Sequence, residues 1–68
     1  MTSLEFKAGD LVMYSDGPTA LVRLATPHAG GWHGDHCLGG FRFVSPPDMR
    51  HATPEEIERA KQSRFYVL

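Results

Sequence analysis

Short apolar runs separated by turn residues set the plan of this chain. Leu11-Val12-Met13-Tyr14 is strand-type, opened by Gly9-Asp10 and closed by Ser15-Asp16-Gly17-Pro18, and Thr19-Ala20-Leu21-Val22-Arg23-Leu24 follows at once. The Asp-Gly step between the runs predicts an antiparallel hairpin of strands at about residues 9–15 and 19–25. Pro18 has no amide proton to give a ladder, so it must open the second strand or sit on an edge. Phe41-Arg42-Phe43-Val44 predicts a third strand at about 41–45 with both Phe side chains on one face, which reads as a core face. Met13 and Met49 read as packing residues.

Thr53-Pro54-Glu55-Glu56 is a helix start. Thr53 serves as N-cap, Pro54 opens the first turn, and Glu56 stands where a capping box needs a carboxylate. Both glutamates also suit the positive end of the helix dipole. The helix should run over about 54–63, with Ile57, Ala60 and the stem of Arg64 turned inward and Glu58, Arg59, Lys61 and Gln62 turned to water. So short a helix is unstable alone and must dock. Phe65-Tyr66-Val67-Leu68 predicts a last short strand at 65–68.

Between these elements, Gly30-Gly31-Trp32-His33-Gly34-Asp35-His36-Cys37-Leu38-Gly39-Gly40 holds the only Trp, the only Cys and two of the four His inside a frame of five glycines. Glycine loses more backbone entropy on ordering than any other residue, so residues 27–40 are expected to be a Gly-rich loop ordered by Trp32 packing or by a partner.

With 68 residues the chain has room for one domain, 1–68, and a thin core. Its 41% hydrophobic and 22% charged content is that of a folded domain rather than a disordered one. A net charge of −1 removes the usual electrostatic basis for sequence-independent binding to nucleic acid. One Cys cannot form an internal disulfide, and Met1-Thr2-Ser3-Leu4-Glu5-Phe6-Lys7 lacks the basic start and apolar run of a signal peptide. A cytoplasmic location is therefore expected, with no membrane association. The fold class expected from these elements is mainly β with one C-terminal α-helix, the short strands curling into a small antiparallel barrel.

Phe6-Lys7-Ala8-Gly9-Asp10-Leu11-Val12, leading through a Gly-containing turn to Ala20-Leu21-Val22-Arg23, resembles the first hairpin of SH3-like and KOW-like barrels. Met49-Arg50-His51-Ala52-Thr53-Pro54-Glu55-Glu56-Ile57 resembles the R-x-A-T-P-E-E-I ending of small phage and prophage proteins that follow such a barrel with a short helix. The resemblance implies a small SH3-like barrel in a phage or mobile-element accessory protein that modulates a host or phage protein. Two features depart from the KOW pattern: the chain has no basic loop, and the Gly-rich insert is additional.

His28, His33, His36 and Cys37, with Asp35, have the donor types of a zinc site but not paired ligand spacing, so no metal and no cofactor is expected. Cys37 with one of these histidines has the makings of a nucleophile and base, yet so small a chain has little material for a concave site, and no catalytic motif is present. The expectation is a non-enzymatic protein-binding module whose surface is built from Trp32, His33, Asp35, Tyr14, Arg23 and Arg42. Trp32 also suits a lid over the core. The alternatives are a nucleic-acid-binding barrel using Lys7, Arg23, Arg42 and stacked Trp32 or Tyr14, and a metal-stabilised structural domain. A homodimer is compatible with the thin core.

Overall fold

The computed structural model describes residues 6–68, so the reading of the N-terminus at Met1–Glu5 lies outside the described residues. The chain forms β1 (Leu11–Met13), β2 (Leu21–His28), β3 (Gly31–His36), β4 (Phe41–Val44), a 3-10 turn (Pro46–Asp48), β5 (Arg50–His51) and α1 (Pro54–Lys61). The strands make one antiparallel sheet in the order β4-β3-β2-β1-β5. The protein is thus a mainly β domain with a C-terminal helix. Among the described residues the expected closed barrel is not formed: β4 and β5 are the two edges of an open sheet. β5 is two residues long and pairs with β1 through Val12↔His51 and Met13↔Arg50, too little strand to bridge to β4.

β1 and β2 form the expected hairpin in the register Leu11↔Arg23, Val12↔Val22 and Met13↔Leu21. Pro18 stays in the connecting turn, where its missing amide costs no ladder bond. The Gly-rich segment is the main departure from the sequence reading. Residues 27–40 are not a loop: most of them are the end of β2 and the whole of β3. A two-residue turn at Ala29-Gly30 joins the strands, with φ of 49° and 83°, the pair of positive values a tight hairpin turn requires. Gly31 and Gly34 are glycines because of their neighbours. A Cβ on Gly34 would meet Val22 Cγ1 at 2.5 Å and the Arg23 carbonyl oxygen at 2.6 Å, and one on Gly31 would meet the Val44 carbonyl oxygen at 2.5 Å and the Phe43 ring at 2.6 Å.

Both faces of the sheet are covered at β1 and the start of β2, which is why Val12-Met13 and Leu21-Val22 are continuous apolar pairs rather than alternating ones. On one face Val12, Val22, Leu24, Val44 and Met49 pack together, flanked by Phe6, Tyr14 and Trp32. On the other, Met13, Ala20, Leu21, Cys37 and Ala60 pack together, flanked by Leu11, Ile57, Tyr66 and Leu68. Met13 and Met49 are both buried packing residues, and Cys37 is a fully buried small hydrophobe whose thiol donates to the Thr19 carbonyl oxygen at 3.5 Å.

α1 begins as expected. Thr53 Oγ1 accepts from the Glu56 amide at 3.2 Å, and Glu56 Oε1 accepts from the Thr53 amide at 2.9 Å, closing the capping box. Arg50 adds a two-point clamp on the same carboxylate, at 2.8 and 2.6 Å. These bonds, Arg50 first and the Thr53 amide second, hold the Glu56 carboxyl down at about 2. The helix ends at Lys61, two residues short of the expected limit, and Ile57 and Ala60 face the body as expected. Arg64 does not pack inward: it lies beyond the helix, exposed, with its guanidinium 5.7 Å from the Phe65 ring. Residues 65–68 form no strand. Ser63 accepts the Tyr66 amide on its carbonyl and the Phe65 amide on its hydroxyl, which keeps the chain turning, and the Val67 amide then donates to the carbonyl of Cys37, just past the end of β3, at 2.8 Å.

Candidate binding surface

The ladder fixes where each expected site residue points. Arg23↔Asp35↔Phe41 and Thr26↔His33↔Phe43 are cross-strand rows on the face that carries α1. Val22↔His36, Leu24↔Gly34↔Arg42 and Pro27↔Trp32↔Val44 are rows on the opposite face. The six residues expected to share one surface therefore divide: Arg23, His33 and Asp35 on one side, Tyr14, Trp32 and Arg42 on the other. The same division places Arg23 and Arg42 on opposite faces, and Arg23 is paired with Asp35 at 3.4 Å, so the sheet builds no single basic surface from them.

Trp32 is half-buried against the Val12, Val22, Leu24, Val44 and Met49 core, so much of its ring is used internally. Beside it, Tyr14 and His36 form a polar pair, with the Tyr14 hydroxyl 3.0 Å from His36 Nε2. The Arg42 guanidinium lies 4.6 Å from the centre of the Tyr14 ring, a cation–π contact. Burial, and secondarily the Arg42 charge, pushes the His36 imidazole below 6.5, opposed more weakly by the Thr19 backbone.

The metal candidates do not converge. His28 and His33 come together, ring centres 4.7 Å apart, but His36 is on the other face and Cys37 is buried in the core. Among the described residues no group of three or more His, Cys, Asp or Glu side chains could hold a metal ion. The same separation leaves Cys37 without an imidazole partner: its thiol is bonded to a carbonyl, and the His36 ring is bonded to Tyr14.

One surface does stand out. On the half of the α1-bearing face that the helix leaves bare, His28, His33 and Phe43 pack edge to face, with ring centres 5.5 Å apart for His33 and Phe43 and 6.3 Å for His28 and Phe43. Phe41 stands next to them, 87% exposed, and Phe43 is 50% exposed. Both were expected in the core. They are outside it because α1 is one short helix that docks over Met13, Ala20, Leu21 and Cys37, at the other end of the face. Ala25, Thr26, His28, His33, Gly34 and Phe41 line a shallow depression of about 350 Å³ there. The sequence signal for this patch is the period-two pattern in Thr26-Pro27-His28, His33-Gly34-Asp35 and Phe41-Arg42-Phe43, visible only once the Gly-rich segment is read as a strand.

Compared with known proteins, the chain matches no family model, no curated protein and no solved structure. Among the described residues no helix is long and apolar enough to cross a membrane.

Proposed function

We propose that the chain is a non-catalytic protein-binding module that engages its partner through the bare half of the sheet, at His28, His33, Phe41 and Phe43. The observation that carries this reading is Phe41, a large apolar side chain 87% exposed at the margin of a patch of rings. A cluster of exposed rings with two large apolar side chains at its core and a polar rim is the usual mark of a contact surface. Arg23 and Asp35 supply a polar rim on the same face. The finer reading of the fold as SH3-like draws support from the first hairpin and from β5 returning beside β1. Origin in a phage or mobile element, with the partner a host or phage protein, rests on the resemblance of the Met49–Ile57 segment.

The test places a photo-crosslinking side chain at position 33, on the patch, and at position 59, on the outer side of α1, in cells that express the protein. An adduct with a different polypeptide from position 33 alone, abolished by Phe41→Ser without a change in melting temperature, is the expected result. Loss of such an anchor commonly weakens binding about thirtyfold or more. Equal adducts from both positions, no adduct, or only an adduct of twice the chain mass would sink the reading.

A further inference from the structure

Among the described residues β4 is an edge strand, and its outer edge is open in a specific way. The His36 amide donates to the Gly40 carbonyl at 3.0 Å, which starts the β3–β4 ladder. Antiparallel ladders alternate, so Arg42 and Val44 turn their amides and carbonyls toward β3 while Phe41 and Phe43 turn theirs outward. Ser45 continues the edge, with extended φ of −135° and ψ of 152°. Natural edge strands are usually blunted by Pro, a charged side chain or a bulge; Phe41-Arg42-Phe43-Val44 has no Pro and no bulge, and its one charge, Arg42, is turned onto the Tyr14 ring of its own chain.

From this edge we propose that two copies of the chain pair β4 to β4 across a two-fold axis at Phe43, joining the two sheets into one. The register follows from charge and from hydrogen bonding. An axis at Arg42 would set two guanidinium groups directly opposite one another in a close pair, which is destabilising. An axis at Phe41 would pair Phe43 with Gly39, whose φ of 101° belongs to a turn rather than a strand. An axis at Val44 would bring the Pro46–Asp48 turn against Phe41, and Pro has no amide to donate. With the axis at Phe43, that residue exchanges both bonds with its own copy, the Ser45 amide donates to the Phe41 carbonyl of the other copy while the Ser45 carbonyl stays with the Asp48 amide at 3.0 Å, and Arg42 stands opposite Val44. Pro46 then faces Gly40, which has no side chain to obstruct it. A net charge of −1 per chain opposes the association little, and the paired strands cover an edge that a chain of this size can ill leave open. Each copy keeps its His28 and His33 rings on the shared face, so pairing would extend the patch rather than hide it. The inference rests on the β4 edge and not on the partner reading above.

Sedimentation across a concentration series should show the wild-type chain moving from monomer to twice that mass. Phe43→Pro removes an outward amide that the β3–β4 ladder does not use, so it should give a folded monomer. The register is read with single cysteines under mild oxidation. Phe43→Cys should form a disulfide-linked dimer roughly tenfold or more faster than Phe41→Cys, because a hydrogen-bonded pair on the axis has the Cα spacing a disulfide needs. Cys37 is fully buried and does not compete. A wild type that stays monomeric at its solubility limit overturns the proposal, as does equal cross-linking from positions 41 and 43. If Phe43→Pro fails to fold, the cysteine pair still decides. A monomer that passes the photo-crosslinking test would refute this pairing and leave the partner reading standing.

Discussion

The Tyr14 hydroxyl lies 3.0 Å from His36 Nε2, and the backbone amide of Leu38 donates to Nδ1 of the same ring at 3.1 Å. An amide can only donate, so Nδ1 is unprotonated, Nε2 carries the proton, and the Tyr14 oxygen accepts it. Protonating His36 would require giving up the Leu38 bond, close to the Arg42 charge. Burial and Arg42 thus favour the neutral ring in the folded protein.

It follows that His36 titrates below 6.5, and that Arg42→Gln moves it partway back up, since Arg42 is the second cause and burial the first. Because the folded protein holds the ring below its unfolded value, the associated stability is complete above about pH 6.5 and is lost as pH falls through the folded value. Ring proton shifts followed by NMR across the acid range are the measurement. A His36 midpoint at or above 6.5 would contradict the geometry.

Gly34→Ala should destabilise the fold by about 1–3 kcal/mol, because its Cβ would press on Val22 Cγ1 and the Arg23 carbonyl oxygen, neither of which can retreat within a packed sheet. Gly17→Ala, whose nearest neighbour would be Ser15 Oγ at 3.7 Å, should be near neutral. Chemical denaturation of the two variants gives the comparison, and equal effects would mean that β3 does not sit against β2 as described.

Those glycines also show where sequence reasoning ran out. Thr53-Pro54-Glu55-Glu56 was legible because a capping box lies within four residues, and the β1–β2 hairpin because its two runs are neighbours in the chain. Gly31 and Gly34 were not legible in the same way. Read locally they are entropic liabilities that suggest a loop, whereas their cause is the close approach of Val44 and Val22 from neighbouring strands. Phe41 and Phe43 share a face, as alternation requires, but which part of that face is covered depends on where α1 docks. For the candidate site, only His33 was among the residues expected on a partner surface, Phe41 and Phe43 having read as core, and the division of Trp32 from His33 and of Arg42 from Arg23 needs the register.

The Arg50–Glu56–Thr53 cluster predicts a specific acid response. Thr53→Ala should cost about 1 kcal/mol by losing the N-cap bond, while Lys61→Ala, at an exposed position, should be near neutral. The Glu56 carboxyl is held at about 2 when folded, below its ordinary value of 4.5. A depressed folded value means stability is present above the ordinary value and is lost as pH falls through about 2. Glu56→Gln should therefore flatten the decline in melting temperature over that window. An unchanged acid limb would show that Arg50 does not hold the carboxylate in solution.

Melting curves with and without a chelator should coincide. His28 and His33 share a face, His36 lies on the other, and Cys37 is enclosed, so no metal can draw the four together without breaking the sheet. A structural zinc would contribute a large share of the folding free energy and could not be removed silently. A fall in melting temperature on chelation, with stoichiometric zinc in the untreated protein, would reverse this.

Trp32 is the residue whose two sequence readings, partner surface and lid over the core, the packing bears on most directly. The sequence suited it both to the centre of a partner surface and to a lid over the core, and the fold sets it between Pro27 and Val44, packed against the cluster of Val12, Val22, Leu24, Val44 and Met49. Truncating a buried aromatic typically costs 3–5 kcal/mol. Trp32 keeps part of its ring in water, so Trp32→Ala should cost about 2 kcal/mol, enough to lower the melting temperature of so small a domain by several degrees. Tryptophan fluorescence gives an independent reading: emission intermediate between free and buried indole, with partial quenching by iodide, is expected of a half-covered ring. Full quenching at the wavelength of free indole, together with an unchanged melting curve for Trp32→Ala, would show that the ring is not part of the core and would restore it to the binding surface.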